Sequence, residues 1–203
     1  METLAAFIFL LLVIALILSG YRKEKHVLKA KLVRFIIVIF SIAFYTYWFI
    51  QKSVEPSVSN STAVQIINLL PQPVDFYLVK VGENKKDSTP TYNLNHMGKI
   101  RSEHYRIDYL KSENMKQYWI VGYLGKRNLV YFSQHALVNP NMDQIIEINN
   151  YINQSLKLSN FSGKLVEEKR AKDRRTSVTI TLSLLLIFLN VFDLFRRRSV
   201  KKH

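Results

Sequence analysis

The chain has 203 residues, a formal net charge of +14 and no cysteine. Its length allows one modest folded domain once membrane segments are subtracted. Without cysteines, that domain rests on its own core or on partners rather than on disulfides. So large a positive charge would point a soluble protein towards nucleic acid. Here most of the excess flanks apolar segments, where it sets topology and meets the anionic headgroups of a lipid bilayer, which argues against nucleic-acid binding.

From Leu4 to Leu18 there is no polar residue. A transmembrane helix is expected over 3–20, close to the ~20 residues that cross a ~30 Å hydrocarbon layer. A surface helix of a soluble protein keeps a polar face, and a cleaved signal peptide carries a basic leader. Only Met1, Glu2 and Thr3 precede this apolar run. Next, 21–34 sets Arg22, Lys23, Lys25, Lys29, Lys31 and Arg34 against one acid, Glu24, and reads as a basic cytoplasmic loop. Only Ser41 and Thr46 then interrupt an apolar run from Phe35 to Ile50, giving a second transmembrane helix over 35–51. Its cluster Phe44, Tyr45, Tyr47, Trp48 and Phe49 fits an aromatic belt at the outer interface.

An extracytoplasmic (periplasmic) domain is expected over 52–160. Lys52 to Ser61, with Pro56, reads as an extended linker. Strands are predicted over Thr62–Leu70 and Val74–Val81, joined by the stiff turn Pro71-Gln72-Pro73, and over Glu103–Leu110. Gln117–Leu124 and Asn128–Gln134 flank a hairpin signal, Gly125-Lys126-Arg127. Both are apolar on both faces, so they belong mid-sheet or under a partner. Gly82 to Ser102 is polar and reads as a mobile loop. Asn139, Pro140 and Asp143 read as a helix start, followed by a stripe of Ile145, Ile148, Ile152 and Leu156. The expected fold is three transmembrane α-helices plus one small extracytoplasmic α+β domain with an antiparallel sheet. An immunoglobulin-like β-sandwich is the competing fold.

A charged helical stalk over 161–176 leads into a third transmembrane helix over 177–195, and 196–203 forms a basic cytoplasmic tail. The positive-inside rule places Arg22, Lys23, Lys25, Arg196, Arg197 and Arg198 in the cytoplasm against lipid headgroups, with the N-terminus outside. Lys169, Arg170, Lys172, Arg174 and Arg175 run against that rule, and Glu167, Glu168 and Asp173 partly neutralise them. Within the third helix Thr176, Thr179, Ser183, Leu186, Asn190 and Asp193 recur every three or four residues, on one face. A polar seam facing lipid forfeits insertion energy. Thr179, Ser183, Asn190 and Asp193 are therefore expected to pack against other helices, of this chain or of other subunits. For Asp193 alone, pairing with Arg196 or Arg197 one turn on is expected.

Little catalytic chemistry is legible. His96, His104 and His135 form no metal-ligand spacing. Ser133 and His135 share a strand face, yet such a pair seldom reaches hydrogen-bonding geometry, and no nucleophile elbow surrounds the serine. No cofactor, metal, catalytic residue or small-molecule substrate is expected. Three Asn-x-Ser/Thr sequons, at Asn60, Asn153 and Asn160, read as chance in an Asn-rich chain. Together with the absence of cysteine, this fits a bacterial envelope. The expectation is a non-enzymatic, multi-pass subunit of an inner-membrane complex for secretion, motility or transport, homo- or hetero-oligomeric, whose domain binds other membrane-protein subunits. The alternative is a membrane-anchored sensor or ligand-binding module with a pocket beside 82–102. For an enzyme or an ion conductor no motif speaks.

Overall fold

A computed structural model describes residues 2–20, 24–53, 61–84, 87–111, 115–137, 139 and 142–195. The chain divides into two units, Met1–Glu55 with Ala171–His203, and Pro56–Arg170.

In the first unit α1 (Glu2–Leu18) and α2 (Glu24–Ser53) are joined by the tail of α3 (Leu156–Phe195), a helix of 40 residues that passes from the second unit into the first. Two helices, α2 and α3, are long and apolar enough to span a membrane, while α1, at 17 residues, is shorter. The segment read as a basic loop is helical from Glu24 onward. Ile8 and Leu12 of α1, Val38 and Tyr45 of α2 and Ile187 of α3 form the buried contact between them. Tyr45, read as part of an outer belt, thus packs inward, edge-on to Phe44. Phe7, Leu10, Ile36, Phe40, Phe188 and Phe192 stay exposed around the outside.

The second unit is three layers. One sheet, in the order β4-β1-β7, comprises β1 (Ser61–Asn68), β4 (His104–Lys111) and β7 (Gln144–Ile148). The other, in the order β3-β2-β5-β6, comprises β2 (Val74–Glu83), β3 (Pro90–Ile100), β5 (Met115–Leu124) and β6 (Asn128–Ala136). Val64, Ile66, Phe76, Leu78, Leu110, Ile120, Tyr131 and Ile148 meet between the sheets. Alternation explains this: in β1, Thr62, Val64, Ile66 and Asn68 point inward while Ser61, Ala63, Gln65 and Ile67 are half-buried. The outer face of the second sheet carries Tyr77, Val79, Trp119, Val121, Tyr123 and Phe132, covered by Leu158, Leu165 and Val166 of α3. That double cover is why β5 is apolar on both faces: it lies between β2 and β6 in a sheet packed on two sides. Each large side chain so buried contributes roughly 1.5–3 kcal/mol.

Three expectations are corrected. Gly82 to Ser102 is largely the strand β3, paired along its length with β2. As an edge strand it needs few apolar residues, and Leu94 and Met97 suffice to fasten it. Gln144–Ile148 is a strand, not a helix. Its isoleucines are β-branched, and it alternates, with Ile146 and Ile148 inward and Ile145 and Glu147 exposed. Asp143, read as an acid at a helix start, instead accepts a hydrogen bond from Ala63 N at 2.9 Å. Finally, β7 pairs parallel to β1, so the β4-β1-β7 sheet is mixed. The unit combines two packed sheets, the feature of the sandwich alternative, with an outer helix.

Candidate functional site

On α3, Ser183 and Asn190 are fully buried, and Thr179 and Asp193 are half-buried. Most of the seam's polar groups find partners within this chain. Thr179 Oγ1 donates to Arg175 O and Ser183 Oγ to Thr179 O, both along their own helix. Asn190 Nδ2 reaches across to Leu12 O of α1 at 3.2 Å, besides Leu186 O at 2.9 Å. Asp193 Oδ2 takes Arg34 Nη2 of α2 at 2.9 Å, with Arg34 almost wholly buried. Asp193 therefore pairs across helices with Arg34, because a buried guanidinium requires a carboxylate close by; the expected pairing with Arg196 or Arg197 falls on residues outside those described. Arg196, Arg197 and Arg198 lie outside the described residues, as do Arg22 and Lys23. Lys25 stands in the first turn of α2. Asn190 Oδ1 and Arg34 Nε are buried without a hydrogen-bond partner among the described residues.

Two of the polar constellations in the second unit contain a histidine. Ser133 Oγ and His135 Nε2 are 2.8 Å apart on β6, so this pair does form a hydrogen bond. Tyr118 of the neighbouring strand stacks on the imidazole with ring centres 5.1 Å apart and steers it onto the serine. Burial alone pulls His135 below its ordinary value, keeping it neutral, and burial together with the neighbouring Tyr131 hydroxyl pushes Tyr118 up to about 12. Ser133 is 2% exposed, and its bond to His135 satisfies a buried hydroxyl under the sheet edge.

The other constellation joins residues that linear spacing could not connect. Asp75 Oδ1 is 2.7 Å from His96 Nε2, and Asp75 Oδ2 is 3.4 Å from Arg170 Nη2 and 3.3 Å from Tyr77 OH. Arg170 Nε donates to Tyr77 OH at 2.8 Å, Nη1 donates to Lys126 O, and the guanidinium lies over the rings of Tyr77 and Tyr123. Burial alone would raise the Asp75 carboxyl. The His96 hydrogen bond and the charges of His96 and Arg170 outweigh it and hold Asp75 below the usual carboxylate value. Arg170, read as a stalk charge partly neutralised by Glu167, Glu168 and Asp173, is thus paired with an acid 95 residues away. Every member is engaged, so the cluster clamps helix to sheet. Among the described residues no three His, Asp or Glu side chains converge as metal ligands.

One surface is unusual. On the outward side of β4, Tyr105 (59%), Ile107 (45%) and Tyr109 (46%) are exposed, beside Ile145 (62%) on β7. The register sets Tyr105 opposite Ile67, Ile107 opposite Gln65 and Tyr109 opposite Ala63, with Ile145 flanking Gln65 from the other side. These side chains share one sheet face. The alternation of β4 was legible in sequence, but which of its two faces met the core was not. No family model matches the chain, and no curated protein matches it in sequence.

Proposed function

We propose that the chain is a three-span protein of a bacterial inner membrane, with its N-terminus outside, and that residues 56–170 form a non-enzymatic extracytoplasmic module that binds another subunit of an envelope assembly. Apolar exposure around all three helices supports the membrane reading, since lipid rather than water suits Phe7, Phe40, Phe188 and Phe192. The observation that carries the binding role is the sheet face of Tyr105, Ile107, Tyr109 and Ile145. A contiguous apolar face of this kind on a sheet marks an interaction surface. The α3 seam supports assembly less, because its cross-helix bonds go to α1 and α2 of the same chain.

The test substitutes Ile107→Lys with Tyr109→Lys, exposed positions that leave the core untouched. In mild detergent the native particle shrinks towards the size of the single chain at unchanged abundance. A reporter active only in the cytoplasm works when fused after His203 and is silent when inserted near Lys86. An unchanged particle size sinks the binding role, and the opposite reporter pattern sinks the orientation.

A further inference from the structure

A pocket of about 420 Å³ opens at the β3–β4 turn, lined by Lys99, Ile100, Arg101, His104, Tyr105 and Arg106. Three of the six are permanent cations and none is an acid. Lys99 and Arg101 have no ion-pair partner among the described residues. We propose that this pocket binds a phosphate-bearing ligand, a function beyond that of the apolar face, which it meets at Tyr105.

The platform is built rather than incidental. Between Phe76 and Tyr77 the β2–β3 register slips, so that Phe76 faces Gly98, Tyr77 faces His96 and Met97 bulges out of the ladder. The freed Met97 carbonyl takes Arg106 Nη1 at 2.6 Å, which fixes one edge of the guanidinium and leaves its other N–H groups for a ligand. Gly98, at φ +85, makes room: a Cβ there would sit 2.8 Å from Arg106 Nη1. The turn is pinned from below by buried Asn68, whose Nδ2 donates to Ile100 O while its own carbonyl accepts Glu103 N at 2.7 Å. Glu103 is thereby held at φ +60, a left-handed conformation that a non-glycine residue keeps only when its surroundings impose it. His104 Nδ1 donates to Ser102 O at 2.8 Å, which fixes the ring and leaves Nε2 for a ligand.

Two guanidinium groups and an ammonium suit a phosphate, whose oxygens accept from several donors at once. The volume exceeds a bare phosphate and admits an attached small group against the exposed Tyr105 ring. A soluble phosphate ester and a phospholipid headgroup share this chemistry.

The full chain in phosphatidylcholine nanodiscs is titrated with glycerol phosphate and followed by ³¹P line broadening. Wild type binds saturably. Lys99→Gln with Arg101→Gln weakens binding about tenfold or more, since two charge-assisted contacts are lost. Gly98→Ala weakens it by displacing Arg106. Lys157→Gln with Lys164→Gln, exposed lysines elsewhere carrying the same charge change, leaves it intact. Competition by phosphatidylglycerol in the disc assigns the site to a headgroup, and indifference to it assigns a soluble ester; both uphold the pocket. Absence of saturable wild-type binding up to about 10 mM, or equal weakening by the two lysine controls, overturns it. The apolar-face variants at Ile107 and Tyr109 keep these cations, so the two proposals fail separately.

Discussion

His135 shows how a single side chain can carry a pH response. Folded, it is half-buried and its pKa is held below 6.5. Above that pH both folded and unfolded chains carry a neutral ring, and it makes no difference. As pH falls through 6.5 the unfolded chain takes the proton first, so stability drops until the folded value is reached. The melting temperature is expected to fall between pH 7 and pH 5, and His135→Asn to flatten that slope. Asp75 does not blur the result: its carboxyl is held below 3.8, so its stabilising share is lost only in stronger acid. An unchanged slope in the variant would remove His135 from the account. The same residue marks a limit of sequence reading. That Ser133 and His135 share a face followed from their spacing. That they bond depended on Tyr118 from the adjacent strand, which no local pattern reveals.

Among the elements, those with a strong period were legible and those defined by their neighbours were not. β1, β2, β4, β5 and β6 followed from alternation and turn residues, within a few positions. β3 was missed because an edge strand draws its order from backbone pairing with β2 rather than from its own apolar content. β7 was missed because Ile145, Ile148 and Ile152 happen to fit a helical period, while the ladder to β1 decides the outcome. On α3 the polar face was read from spacing, but the task of each residue was not. Ser183 bonds its own helix, whereas Asn190 spans to α1. Asn190→Leu is therefore expected to loosen the helices by about 0.6–2 kcal/mol, measured as thermal unfolding in mild detergent. Ser183→Ala removes only a bond within one helix, and Leu185→Ala trims an exposed face, so both are expected near neutral. If Ser183→Ala proves as harmful as Asn190→Leu, the spanning bond is not what holds α1.

For the whole molecule, the Arg34–Asp193 pair ties the start of α2 to the end of α3. Removing one partner strands a buried charge, at a typical cost of 3–5 kcal/mol, whereas removing both leaves none behind. Asp193→Leu alone is expected to lower the yield of folded protein sharply, and Arg34→Leu with Asp193→Leu to recover most of it. A double variant as poor as the single one would show that the pair does not act as a unit. On the proposed topology, the remaining basic residues of 21–34 are expected to keep the orientation of that double variant.

The parallel pairing of β1 with β7 has a consequence for how the protein is made. Val64 pairs with Gln144, 80 positions later, and Ala63 N waits for the Asp143 carboxylate. A chain emerging N-terminus first can zip β1 to β4 early, yet one flank of β1 keeps its backbone groups open until the last strand has been translated. Closure of so large a loop falls late and slowly in folding. During that interval the nascent domain presents a bare strand edge, the feature that chaperones capture and proteases cut.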